Sequence, residues 1–257
     1  MPWKKQKLCM QLFDKHIDQI RSFLEPYQAA GALTAYSHTR PASWPASNRQ
    51  NLVLAGDTGV ELGHPDDAST AFLLWTNDPA RVIDRRITVV GPDLPDIQNQ
   101  RVPFGKIILA GGDDFNEENS FERYREMELL RYDIDLKGYM MRGVSQHQRE
   151  WSRVSRDALK NGFSFRVLGG ALLDQFTRLS YIKTAEVIFI TQSREAVLEI
   201  QTLACETIKI IGAMNKMAEE LSFDCTTCEF NTVCSDVAEL RAMRRALKKR
   251  KAASNAG

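Results

Sequence analysis

Three cysteines fall within ten residues near the end of the chain, in the run Asp224-Cys-Thr-Thr-Cys-Glu-Phe-Asn-Thr-Val-Cys234. Two thiolates separated by two residues can turn toward one ion, and a third from the next turn closes one face of a site. Thiolates are the ligands of iron–sulfur clusters and of structural zinc, and both normally take four protein ligands. Cys225, Cys228 and Cys234 therefore pose the question of the fourth. Cys205, in the preceding segment, is the first candidate, and Cys9, Asp224, a histidine, a partner chain or a substrate are the others. A [4Fe–4S] cluster is the first reading. Zinc held by three cysteines with a histidine or fourth cysteine is the alternative, and three metal-free structural thiols are the third. An iron without a protein ligand would have an open position for Lewis-acid chemistry.

The chain that must position these thiols has 257 residues, 43% of them hydrophobic and 26% charged, with net charge +1. That length supports one large domain or two modest ones. The balanced charge gives no bulk signal for nucleic acid or a membrane surface. No signal peptide and no run of membrane-spanning length is visible. A cytoplasmic location is expected, where thiols stay reduced and clustered cysteines favour metal over disulfide.

Apolar spacing predicts a helix over residues 9–25 ending at Pro26, then a Pro- and Ser-rich linker over 37–50. Short apolar pieces at Leu52 to Leu54, Gly59 to Leu62, Ala71 to Trp75, Ile87 to Val90 and Lys106 to Leu109 read as strands between turn signals. Helices are expected over 116–130 and 147–160, a strand from Phe163 to Val167, and a helix from Gly170 to Leu179. Ala185 to Thr191 reads as a buried strand, and Ser193 caps a long helix running to about 220. After the cysteines, Ser235 or Asp236 caps a final basic helix. The class expected is α+β: a mixed-sheet domain with packed helices, an N-terminal helical extension and a C-terminal helical module carrying the cysteines. The expected divisions are 1–50, 51–192 and 193–257. Neither Gly-x-Gly-x-x-Gly nor Gly-x-x-x-x-Gly-Lys occurs, so a Rossmann or P-loop nucleotide site is not supported.

Several stretches carry a family resemblance: Val60-Glu-Leu-Gly63, Ile87-Thr-Val-Val-Gly-Pro-Asp93, Pro103-Phe-Gly105, Ser120-Phe-Glu122 with Glu126, and Trp151-Ser-Arg-Val-Ser-Arg-Asp-Ala158 leading to Gly162-Phe-Ser-Phe165. Their order and spacing resemble the middle domain of the β subunit of acetyl-CoA synthase, over residues 60 to about 200. Ala185 to Thr191 resembles the strand that precedes that family's metal domain. The resemblance implies that Cys225, Cys228 and Cys234 correspond to the first three cysteines of a [4Fe–4S] cluster. The fourth cluster cysteine and the Cys-Gly-Cys that holds nickel have no counterpart here, since Ser235 to Arg250 contains no cysteine.

The same resemblance implies a coenzyme A site built from a tryptophan and arginines. Trp151 stands among Arg142, Arg149, Arg153, Arg156 and Arg166, and on a helix Arg149, Arg153 and Arg156 would share one face. Guanidinium groups grip phosphates and an indole stacks on adenine. A solvated basic face with Trp151 in the core is the bland alternative, and the family's Gly-Leu-Trp-His motif is replaced by Tyr139-Met-Met-Arg142. A rival resemblance is to RecB-like nucleases, which share the cysteine spacing. Asp113, Asp114, Asp133, Asp135 and Lys137 would there hold Mg²⁺ and orient water. The basic tail from Arg241 to Lys251 reads as a solvated helix end, and His16, His38, His64 and His147 show no paired ligand spacing.

The function expected is that of an iron–sulfur subunit related to acetyl-CoA synthase, acting with other subunits in anaerobic CO, one-carbon or acyl-CoA metabolism. Without the nickel cysteines it would not condense methyl and CO groups alone. A non-enzymatic adaptor with an iron–sulfur or zinc staple is the alternative, and the nuclease a third. Nucleic acid and membrane are not expected partners.

Overall fold

The computed structural model describes residues 10–254 except positions 42, 49, 51, 98, 99, 145–147, 220–224 and 226. In chain order the elements are α1 (Asp14–Ala29), β1 (Leu33–Ser37), β2 (Thr58–Leu62), β3 (Ser69–Thr76), β4 (Arg86–Val90), β5 (Arg101–Val102), β6 (Phe104–Gly112), α2 (Ser120–Leu130), β7 (Tyr139–Val144), β8 (Glu150–Ser155), α3 (Arg156–Lys160), α4 (Phe165–Phe176), β9 (Ile182–Ile190), α5 (Arg194–Glu219), α6 (Asn231–Asp236) and α7 (Ala238–Ser254). The architecture is α+β, as the order of strand and helix signals indicates.

Two mixed sheets form the body. The larger has the order β1-β4-β9-β6-β3 and the smaller β5-β2-β8-β7. In the larger sheet β4 runs parallel to β9 and β3 parallel to β6, while β6 and β9 pair antiparallel through the centre. Every residue of β3 and β6 is buried. That explains why both read as unbroken apolar runs: strands covered on two faces have no solvent side to alternate with. Helix α5 packs on β3 and β6, α4 on β9 and β4, and α1 against β1, β3 and α5.

Three local expectations change. Pro26 lies inside α1, which continues to Ala29. Residues 147–160 are not one helix: β8 occupies Glu150–Ser155 and α3 only Arg156–Lys160, capped by the Ser155 hydroxyl on the Ala158 amide at 3.1 Å. The strand expected from Phe163 is instead the start of α4, one residue after Ser164. In each case the tertiary partner decides. Thr58, Val60, Glu61 and Leu62 of β2 pair with β8 on one side and β7 pairs on the other, so Glu150, Ser152 and Val154 are buried in strict alternation. This period-2 pattern is what the helical reading missed.

Charged side chains hold the layers together. Lys106 of β6 and Glu150 of β8 are both buried and form an ion pair between the two sheets. The Tyr139 and Ser152 hydroxyls lie 3.4 Å from the same carboxylate, and the Ser69 hydroxyl donates to the Glu150 carbonyl at 2.6 Å. Buried Arg131 follows α2 and bonds Tyr132 and Glu128. Burial pushes the Lys106 ammonium pKa down, and Glu150 opposes the shift. Elsewhere Arg21 of α1 grips the fully buried Glu186 of β9 through two bonds of 3.0 and 2.6 Å, fastening the first helix to the central strands. Removing one member of a buried pair leaves the other charge desolvated, which costs about 3–5 kcal/mol. Lys106→Met and Glu150→Leu should each lower urea-unfolding stability by about that much, and the double substitution by clearly less than their sum. Additive losses would show that the two groups do not depend on each other.

Candidate functional site

The cysteine triplet is seated by three helices. Ala213, Lys216 and Met217 of α5, Phe230, Asn231 and Cys234 around α6, and Arg244 of α7 line one small pocket, together with Cys225 and Cys228. The loop is folded back by bonds from the Asn231 amide to the Cys228 carbonyl, 3.0 Å, and from the Cys234 amide to the Phe230 carbonyl, 2.9 Å. Gly212 of α5 lets it approach: a Cβ there would stand 2.8 Å from the Phe230 ring. Any larger residue must displace the ring that carries the loop.

Cys234 is buried, while Cys225 and Cys228 are partly exposed. Burial raises the Cys234 thiol pKa; the Arg244 guanidinium pulls the other way, and the neighbouring Cys228 and Cys225 sulfurs add to the rise. Three soft donors, apolar walls and a facing cation fit an anionic thiolate–metal centre in chemical kind. The described residues hold no group of three ligands already drawn in to metal-binding distance, so the loop bearing Cys225 and Cys228 would have to tighten on an ion. Cys205 is exposed on α5, eight residues before Ala213, or about 12 Å along the helix axis at 1.5 Å per residue. It does not line the pocket. Cys9, Asp224 and His147 lie outside the described residues.

The second candidate site lies on the outward side of β8. Because β8 alternates, Trp151 and Arg153 emerge on the face opposite Glu150 and Ser152. Arg142 of β7 sits over the Trp151 ring at 4.6 Å, Arg153 at 5.5 Å, and the His64 ring meets it edge-on at 5.3 Å. Glu61 of β2, itself buried, accepts from Arg153 at 2.5 Å and Arg101 at 3.2 Å. Trp151 Nε1 is enclosed without a hydrogen-bond acceptor among the described residues. The arrangement offers an indole bordered by guanidinium groups.

The other expected members are placed elsewhere. Arg149 spends its guanidinium on the Pro65 and Asp67 carbonyls, at 3.1 and 2.6 Å. Arg156 opens α3 and is exposed, so the shared helical face of Arg149, Arg153 and Arg156 does not exist. Arg166 lies over the Tyr36 ring at 5.8 Å, beside β1. Sequence reasoning passed over Glu61, His64 and Arg101, which only the pairing of β2 with β5 and β8 brings to this face.

The nuclease-like carboxylates are not gathered. Residues 132–137 form no strand, the Asp135 carboxylate bonds Ser47, Asp114 pairs with Arg123 at 2.9 Å, and Asp113 with Lys183 at 3.7 Å. No helix among the described residues is long and apolar enough to cross a membrane.

Fold and sites together define an α+β two-sheet domain that carries a thiol-lined pocket on appended helices. Residues 46–196 match the family described as the CO dehydrogenase/acetyl-CoA synthase complex beta subunit, and the chain belongs to that family. It is similar to the acetyl-CoA decarbonylase/synthase complex subunit beta 1 of Methanosarcina mazei, 30% identical over 178 residues, covering 66% of this chain and 36% of the relative. The corresponding beta subunit of Archaeoglobus fulgidus is 25% identical over 186 residues, 68% of this chain and 34% of its own length. The carbon monoxide dehydrogenase/acetyl-CoA synthase subunit alpha of Moorella thermoacetica is 30% identical over 120 residues, 46% of this chain and 16% of its own. The chain thus spans about a third of the length of the beta subunits it matches. Cys225, Cys228 and Cys234 lie beyond the residues matched to the family.

The seating of the triplet is testable without metal. In reduced apoprotein, exposed Cys205 should alkylate fast and Cys234 slowly. Gly212→Leu, which keeps helix propensity but displaces Phe230, should speed Cys234 alkylation by on the order of tenfold in residue-resolved mass spectrometry. An unchanged Cys234 rate would show that Phe230 does not seat the loop.

Proposed function

We propose that this chain is a cytoplasmic iron–sulfur subunit of a complex in anaerobic CO, one-carbon or acyl-CoA metabolism. Cys225, Cys228 and Cys234 would hold a [4Fe–4S] cluster, and the face around Trp151 would bind coenzyme A or a partner subunit. The observation that carries the reading is the convergence of the three cysteines on one pocket with Arg244. Family membership supports it, as do the relatives' names, which describe subunits of a complex. A cluster supplies electron transfer or a structural staple, and the thiolates would be its ligands, with Arg244 and Lys216 as nearby cations. The fourth iron ligand would come from Asp224, a partner chain or a small ligand rather than Cys205, given where Cys205 stands on α5. The described residues and the sequence contain no Cys-Gly-Cys for nickel, so condensation of methyl and CO is not assigned to these residues.

A zinc or iron–sulfur staple in a non-enzymatic adaptor is the second reading, favoured by the shape of the appendage: α6 and α7 pack on α5, where a metal would cross-link three helices. Anaerobic purification with iron, sulfide and zinc analysis separates an iron–sulfur cluster from the zinc staple. Iron and acid-labile sulfide near four atoms each per chain, lost in Cys228→Ser, is the expected outcome; stoichiometric zinc without iron would establish the staple. For the β8 face, calorimetry should show saturable coenzyme A binding that weakens about tenfold in Arg153→Ala or Trp151→Ala. No heat of binding with the native chain would leave that face to a protein partner.

A further inference from the structure

A separate cleft of 620 Å³ opens between the chain that leaves β1 and the first turn of α4. Ser37, His38, Thr39, Arg40, Pro41 and Ser43 line one wall, and Gly162, Ser164, Arg166 and Val167 the other. None of the lining residues is acidic. Arg40 and Arg166 are exposed, and neither forms a salt bridge among the described residues. At the base, His38 is buried and its Nε2 lies 2.7 Å from Asp174 Oδ1 on α4, which fixes the orientation of the ring. The Arg85 guanidinium donates to the His38 carbonyl at 3.3 Å, and Tyr36, under Arg166, donates from its hydroxyl to Asp93 at 3.3 Å. Asp174 and Asp93 are thereby engaged behind the walls of the cleft, while its guanidinium groups and hydroxyls remain available to an occupant.

We propose that this cleft binds the phosphate end of a small phosphorylated molecule. Two guanidinium groups supply forked, charge-assisted donors matched to phosphate oxygens, and the hydroxyls of Ser37, Ser43 and Ser164 supply neutral ones. The buried His38 imidazole, its Nε2 held by Asp174, closes the base of the cleft in one fixed orientation. The volume is that of a small-molecule site rather than of a flat protein interface. The proposal is independent of the cysteine pocket and of the β8 face.

The test is isothermal titration calorimetry of the purified chain with inorganic phosphate, pyrophosphate and citrate. Saturable binding of phosphate or pyrophosphate below about 10 mM is expected, with citrate weaker. Arg40→Ala and Arg166→Ala should each weaken pyrophosphate by about tenfold, the corresponding Lys variants by less, and Arg142→Ala not at all. Both arginines are exposed, so an unchanged melting temperature will confirm that the variants fold. No saturation by either phosphate anion, preference for citrate, or alanine variants that bind as the parent does would overturn the assignment.

Discussion

The structure depends on a buried ion pair between its two sheets. Lys106 and Glu150 reside on strands of different sheets and have no exposure to water. Neither charge is tolerable in a protein interior without the other, so the pair fixes how the sheets meet: β8 must lie where its first residue reaches β6. The Ser69 hydroxyl and the bond from the Ala71 amide to the Gln148 carbonyl, 2.5 Å, continue the same junction through main chain. An apolar pair of equal volume would be no less stable, yet it would accept many registers. The ion pair with its Tyr139 and Ser152 partners accepts one.

That register determines what appears on the other side. A strand shifted by one residue exchanges its faces. With Glu150 turned inward, Trp151 and Arg153 must turn outward, toward Arg142 on β7 and Glu61 on β2. The guanidinium–indole face is therefore a consequence of the core, and the core charge and the surface site are adjacent residues on one strand. The cysteine pocket is positioned differently. It hangs from α5, a 26-residue helix that packs on β3 and β6 and also carries α6 and α7, meeting the cysteine loop at Gly212, Ala213, Lys216 and Met217. Gly212 and Phe230 define the contact, so the thiols are placed by one close approach to a single rigid helix.

Much of the fold was legible in residue order. The central strands β3, β4, β6 and β9 announce themselves as short apolar runs, and the long helix α5 by its cap and length. The family was legible too, through Trp151 to Ala158 and the shorter stretches around it, and residues 46–196 match it. The errors cluster where the periodicities compete. Glu150 to Lys160 contains arginines at helical spacing and buried positions at strand spacing, and only the presence of β2 and β7 on either side selects the strand. Pro26 is tolerated inside α1 because that helix is fastened elsewhere, by Arg21 on Glu186 and by Phe13 against Trp75, ring centroids 4.4 Å apart.

By itself the sequence determined the class of fold, the family and the three thiols within reach of one another, because apolar periodicity and short spacings are local properties of a chain. Tertiary structure alone decided which arginines meet Trp151, that Glu61, His64 and Arg101 join them, that Arg166 faces another cleft, and that Cys205 stands apart from the triplet. These depend on strand register and on which turn of a helix a loop returns to. Both are fixed by contacts between residues far apart in the chain, and no local spacing records them.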